Sequence, residues 1–155
     1  KNKYEILYEC HKTAMDLGDQ ARAHADENGR SGLEKLTLWL SRYLQLLTSE
    51  LGSSALLSEH NAMRPEDRKV IQARRRGFDT YLRGLIQEGI ADGSIRAIDP
   101  KLAVFFFMGG VNGVLRWFDD DGVLSGGDVA DGFVDFLVNG LSASAGPDGS
   151  EPRQE

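Results

Sequence analysis

The chain has 155 residues, with 18 basic and 24 acidic side chains and a formal net charge of −6. A single domain of this length buries enough apolar surface to fold without a structural metal, and its one cysteine, Cys10, excludes an internal disulfide. The acidic balance argues against nucleic-acid binding by this stretch alone, because phosphate backbones select basic surfaces.

A membrane span is not expected. The longest uncharged run, 102–115, is shorter than the about 20 apolar residues that a spanning helix needs. We therefore expect a cytoplasmic protein. The sequence starts at Lys1 and a helical pattern begins at once, so we also expect that part of the natural chain lies upstream.

Two amphipathic helices are predicted first. Apolar residues spaced three and four apart indicate a helix over 2–27, with Asn2 as its N-cap. Ser31 followed by Glu34 predicts a capping box at the start of a second helix, which runs to about residue 51. This second helix is apolar on most sides, so we expect it to be largely enclosed.

A short helix is predicted over 53–59, after a terminating Gly52. Pro65 then opens a long helix that ends at Gly93, because proline suits a first helical turn and glycine a terminus. The Asp99–Pro100 pair predicts the start of a fifth helix, to about residue 118. Ser125 caps a last helix that ends near 141.

The fifth predicted helix is apolar on every side. One of its faces must meet the core, and the other must meet a ligand or a partner. Gly109, Gly110 and Gly113 thin one side of it, which allows a second helix to approach closely. Asn112, in its middle, is expected to hydrogen-bond to that ligand or partner helix, because buried amides rarely lack partners.

The fold class predicted is all-α, a bundle of about six helices, because no segment alternates with a period of two. Residues 1–141 form the domain. Residues 142–155 are rich in glycine, proline, serine and acids, so a disordered tail is expected there.

No catalytic residue, metal site or cofactor is predicted. The three histidines are far apart in sequence and have no carboxylate or thiol at ligand spacing, and no nucleophile turn or phosphate-binding loop is present. The basic run 74–76 is either a solvated surface or includes one inward arginine that neutralises an acidic ligand group. Trp39 and Trp117 are core residues or ligand platforms.

Three segments resemble the tetracycline-repressor (TetR) family of bacterial transcription regulators. Residues 1–7 (KNKYEIL) are similar to the link after the DNA-binding helix of that family. Residues 82–96 (LRGLIQEGIADGSIR) with 99–103 (DPKLA), and 115–118 (LRWF) with 122–125 (GVLS), resemble two later helix junctions. The resemblance implies a ligand-sensing and dimerisation domain whose N-terminal helix-turn-helix DNA-binding domain is missing upstream.

The resemblance also implies a homodimer, a small apolar effector and contact with operator DNA only through the missing domain. The segments 64–68 and 93–96 look most like members that respond to fatty or acyl-coenzyme A effectors. The alternatives are a helical-bundle enzyme and a stand-alone protein-interaction module. An enzyme would need acids converging in the core, whereas every acid here falls on helix starts, turns or polar faces.

Two groups of site residues follow as expectations. The effector pocket is expected to use Arg75 as the anchor for a carboxylate or phosphate, together with Trp39, Tyr43, Met63, Phe78, Met108, Asn112 and Trp117. The dimer interface is expected on the last two helices, at Phe105, Phe106, Phe107, Gly109, Gly113, Val129, Phe133, Phe136 and Leu137, because so much apolar surface exceeds what one small domain can cover.

Overall fold

A computed structural model describes residues 2–49 and 63–143, and the helices found there account for most of the described chain. In chain order they are α1 (Lys3–Asn28), α2 (Gly32–Leu47), α3 (Pro65–Asp92), α4 (Pro100–Trp117) and α5 (Gly126–Leu141). The described part contains no β-strand, only an isolated antiparallel bridge between Ile95 and Ser142. The all-α prediction is therefore confirmed. The predicted helix over 53–59, its terminator Gly52 and the tail 144–155 lie outside the described residues.

Side-chain caps set most helix starts where the sequence predicts them. The Asn2 side chain accepts a hydrogen bond from the Glu5 amide, and the Glu5 carboxylate accepts one from the Asn2 amide. Asp99 caps α4 by accepting from the first amides of that helix, and Ser125 forms a reciprocal box with Asp128 at the start of α5. The sequence pattern and the cap chemistry therefore agree at these three starts.

The capping box predicted for α2 forms only in part. Ser31 accepts a hydrogen bond from the Glu34 amide as expected. The Glu34 carboxylate, however, accepts from the Arg30 amide at 2.8 Å. The helix begins where the box predicts, but Glu34 pairs with the amide of the residue before the N-cap and so stabilises the turn into α2.

The prediction that α2 extends to about residue 51 is wrong, because the helix ends at Leu47. Thr48 is its C-cap, and the Thr48 hydroxyl donates to the Leu44 carbonyl at 2.8 Å. Thr48 also packs against Gly126, where a Cβ would collide with its hydroxyl. The end of α2 is thus fixed by a tertiary contact with the start of α5.

Helix α2 lies at the centre of the molecule and contacts α1, α3 and α5. Most of its apolar side chains are buried, whereas Leu33, Leu38 and Leu46 are partly buried, so the helix is enclosed on all but its outer side. The buried side chains on α2 are those of Leu36, Trp39, Leu40, Tyr43, Leu44 and Leu47.

The start of α2 touches the backbone of α3. A Cβ at Gly32 would collide with Leu85 and Gly89 of α3, so only glycine allows this approach. The Gly32 amide donates to Asp92 Oδ2 at 2.8 Å, and Ser94 Oγ accepts from the Leu33 amide at 3.2 Å. The end of α3 therefore caps the start of α2.

Arg74 joins α1 to α3. Its guanidinium donates to Asp16 at 2.8 Å and also pairs with Asp19. Partial burial opposes ionisation of Asp16, but hydrogen bonds from Arg74 and Lys12 outweigh it and lower the pKa of the carboxyl. Arg74 of the basic run 74–76 therefore links α3 to α1 through ion pairs.

None of the described helices combines the length and the apolar character needed to cross a membrane.

A matched pair of glycine substitutions tests the close approach of α2 and α3. Gly32→Ala should lower the free energy of unfolding by about 1–3 kcal/mol, because the added methyl group would overpack this contact. Gly84→Ala, on the exposed side of α3 with open space around its Cα, should raise it by about 0.5–1 kcal/mol. Urea denaturation of both variants gives the two values. Equal effects in the two variants would contradict the close approach.

Candidate functional site

The interior of the molecule contains a stacked aromatic pair on α2. The rings of Trp39 and Tyr43 lie 4.8 Å apart between centroids with an interplanar angle of 27°. Only 1% of Trp39 is exposed, and its Nε1 donor has no hydrogen-bond acceptor among the described residues. Burial raises the pKa of Tyr43 to about 12, although the nearby Arg75 charge opposes this rise.

A polar cluster forms where α1, α2 and α3 meet. Arg75 of α3 lies on the surface, with its Nη2 3.5 Å from Nδ1 of His11 on α1. His11 is buried, and the Tyr43 side chain is close enough to feel the Arg75 charge. We call Tyr43, Arg75 and His11 the three-helix polar cluster. Within it, Arg75 is exposed to solvent, whereas His11 and Tyr43 are buried.

Met63 and Phe78 belong to a second apolar cluster, between α1 and α3. Phe78 follows Arg75 by one helical turn, and it packs so closely on Gly18 that a Cβ there would lie 2.7 Å from its ring. Five of the eight predicted pocket residues are therefore on α2, on α3 or just before α3, but in separate places. Trp39 and Tyr43 belong to the main core, Met63 and Phe78 belong to the second cluster, and Arg75 contacts His11.

The other three predicted pocket residues lie on α4 and do not join this group. Met108 is half-buried against the main core, whereas Asn112 and Trp117 are exposed. Asn112 is exposed in the single chain because α4 turns one side to solvent, and its hydrogen bond to a ligand or a partner helix stays a prediction. The core side of α4 carries Ala103, Val104, Phe107, Val111 and Val114.

The outer side of α4 and the neighbouring part of α5 carry an exposed apolar face. Phe106 is 88% exposed and Phe136 is 78% exposed. Gly109 and Gly113 lie beside Phe106 at helical spacing, and a Cβ at either would meet open space. We call Phe106, Gly109, Gly113 and Phe136 the apolar face. Phe105 is exposed beside it, beneath the side chains of Arg83 and Lys101.

Four of the predicted interface residues are not on this face. Phe107, Val129 and Leu137 are buried in the core of the chain itself, because the inner side of α4 packs on α3 and the inner side of α5 packs on α2. Phe133 is half-buried, with its ring against Gly110. These four residues pack within the chain, so a dimer contact through α4 and α5 would use the apolar face instead.

A surface groove of about 480 Å³ lies between the outer sides of α1 and α2. Its lining is mostly polar and includes Arg42 and His24. Sequence reasoning did not single it out, because its lining residues other than Leu38 are polar residues on the exposed sides of their helices. In residues 2–49 and 63–143, no three His, Cys, Asp or Glu side chains are grouped closely enough to hold a metal ion.

His11 is the residue of the polar cluster that sequence reasoning missed. On sequence alone it is a surface or core histidine without a role. The available signal is its position on the apolar stripe of α1, four residues after Leu7 and three before Ala14. A histidine in such a stripe is buried and must be paired, which here occurs with Arg75.

Several solved structures resemble this fold. The TetR family regulator PfmR from Thermus thermophilus has a TM-score of 0.79 and 26% identity, over 92% of this chain and 78% of that one. AibR, solved in complex with isovaleryl coenzyme A and operator DNA, has a TM-score of 0.74 and 27% identity, over 88% and 75%. A TetR-family member from Streptomyces coelicolor has a TM-score of 0.74 and 25% identity, over 92% and 73%.

No curated protein sequence matches the chain significantly. Residues 29–141 match the family described as "Tetracyclin repressor-like, C-terminal domain". This match spans α2 to α5 and therefore most of the described fold. The chain belongs to the TetR family of transcriptional regulators, as a C-terminal domain of the tetracyclin repressor-like type.

Proposed function

We propose that this chain is the effector-sensing and dimerisation domain of a TetR-like transcriptional regulator, and that it binds an apolar small molecule with an acidic head group. The observation that carries the proposal is the three-helix polar cluster, which sets an accessible guanidinium beside a buried aromatic interior. Ligand sites in proteins combine an apolar lining with a few orienting polar groups. Binding, and no catalysis, is the role that we assign.

The acidic head of the effector would pair with Arg75. A guanidinium forms two parallel hydrogen bonds to a carboxylate or phosphate, which fixes the orientation of the head as well as its position. Arg74, its neighbour, is already paired with Asp16 and Asp19. Arg75 makes no ion pair with an acid among the described residues, so its charge is available to an anion.

The apolar part of the effector would extend inward along α2. Trp39 and Tyr43 supply aromatic surface, and Met63 and Phe78 supply the neighbouring apolar side chains. A fatty acid or an acyl-coenzyme A has the required combination of an apolar chain and an anionic group. The complex of the similar regulator AibR with isovaleryl coenzyme A supports this effector class.

The apolar face supports a homodimer. Two copies that meet through α4 and α5 would bury Phe106 and Phe136, and Gly109 and Gly113 would let the facing helices approach closely. Such a two-fold contact uses the same patch on both subunits. A stable obligate interface buries about 2,000 Å² or more in total.

Helix α1 would carry the signal from the effector to a DNA-binding domain upstream. It is tied to α3 by Arg74 through Asp16 and Asp19, and by the contact of Arg75 with His11. An anion that engages Arg75 would compete with the His11 contact and so favour another position of α1. An effector shifts DNA binding only if it binds the two states of the regulator with different affinity.

A pair of arginine substitutions tests the anchor. Arg75→Gln should weaken the binding of decanoate at least tenfold, because the anionic head loses its charged partner. In a thermal shift assay, a ligand at a hundred times its dissociation constant adds about 2.7 kcal/mol of stability. The wild-type chain should show this stabilisation with decanoate, and Arg75→Gln should lose about half of it or more at the same concentration.

Arg76→Gln is the matched control, because Arg76 is exposed, adjacent in sequence and equal in charge. It should bind decanoate as the wild type does. Equal losses of decanoate binding in the two variants would mean that net charge alone matters, which would contradict the role of Arg75 as the anchor. No stabilisation of the wild type by any fatty acid, acyl thioester or aromatic acid would contradict the sensing role.

The dimer is tested by placing a charge on the apolar face. Phe136→Asp should convert a dimer into a monomer at micromolar concentration, because each interface would bury two unpaired carboxylates. Light scattering gives the mass. Val70→Asp, at an exposed apolar position on α3, is the control and should stay dimeric. A monomeric wild type, or a dimeric Phe136→Asp variant, would contradict this interface.

A further inference from the structure

The buried indole of Trp39 is the starting observation. Its Nε1–H has no acceptor among the described residues, although almost none of the side chain is exposed. Buried tryptophan donors usually find a partner, because leaving one unpaired costs the hydrogen bond that it made with water in the unfolded chain. An orphaned donor at this depth therefore indicates an acceptor that arrives from outside.

A trapped water molecule is a poor candidate for that acceptor. A buried water needs two to four polar partners to be retained. Trp39 lies in the hydrophobic core, and the other core members on α2 are leucines apart from its stacking partner, Tyr43. A single oxygen within an otherwise apolar ligand is a better acceptor for Trp39 Nε1, because the rest of the ligand can pack against the apolar side chains.

The position of Trp39 relative to the three-helix polar cluster sets the shape of the ligand. Tyr43 belongs to the cluster and is influenced by Arg75, whereas Trp39 lies one helical turn away on the same side of α2. Four residues of helix correspond to a rise of about 6 Å. If the acidic head of a ligand binds Arg75, the part of the ligand about 6 Å from that head would therefore lie beside the Trp39 indole.

We infer that the effector carries a carbonyl oxygen within its apolar part, about one helical turn from its acidic head, and that this oxygen accepts a hydrogen bond from Trp39 Nε1. The inference rests on the proposed effector site and names the class of compound that fits it. Medium-chain oxo acids have this arrangement. An unsubstituted fatty acid would occupy the same place but leave the indole unpaired.

The test is a double comparison of ligand and protein by titration calorimetry on the full chain. The ligands are decanoate and its oxo derivatives with the ketone at carbons four to seven. The proteins are the wild type, Trp39→Phe and Tyr43→Phe. Trp39→Phe keeps a large ring and removes the donor, while Tyr43→Phe alters the other ring of the pair and leaves the indole in place.

The wild type should bind the best oxo acid about tenfold more tightly than decanoate. In Trp39→Phe the preference should vanish or reverse, because a buried ketone would then lack a donor. Tyr43→Phe should keep the wild-type ratio, whatever its affinity for either ligand. If Trp39→Phe does not fold, the ligand series on the wild type still tests the carbonyl, because equal affinity for decanoate and every oxo acid overturns the inference.

Two outcomes overturn the inference, and they differ from failure of the effector site itself. If the wild type binds decanoate as tightly as every oxo acid, the site stands but holds no carbonyl. If Trp39→Phe keeps the preference, another donor is responsible. If neither decanoate nor any oxo acid binds, the proposed effector class is wrong, and this inference is wrong as well.

Discussion

The burial of α2 among α1, α3 and α5 is the interaction on which the rest of the structure depends. Five of its side chains, including Trp39, are among the most completely buried in the described chain. The start of α2 is held by the end of α3 through Gly32 and Asp92, and its end is held by α5 through Thr48. A helix fixed at both ends can present its aromatic residues in a constant orientation.

The same arrangement leaves two features that a single chain does not satisfy: an exposed apolar face and a buried indole donor. The inner side of α4 packs on α3 and that of α5 packs on α2, so their outer sides expose Phe106 and Phe136 to water. Inside, the Trp39 indole is buried without an acceptor among the described residues, while Arg75 lies at the surface. Dimerisation across a two-fold axis would bury the exposed apolar face. An acidic effector with a carbonyl oxygen would bind Arg75 and supply an acceptor for the indole.

Local chemistry made the helices predictable, and tertiary contacts limited the prediction of the site. Caps such as Asn2 and Asp99 act on neighbouring amides, so the sequence reveals them directly. The end of α2 at Leu47 depends on α5, and the pairing of His11 depends on α3. Asn112 shows the same limit, because composition indicated an apolar helix but not which side of it faces solvent.

A crystal structure of the chain with decanoate would test the proposed effector site directly. The carboxylate should form two hydrogen bonds with Arg75, and the alkyl chain should run inward between α1, α2 and α3 towards Trp39. A carboxylate held in the surface groove beside Arg42 and His24, with the three-helix polar cluster unchanged, would contradict it.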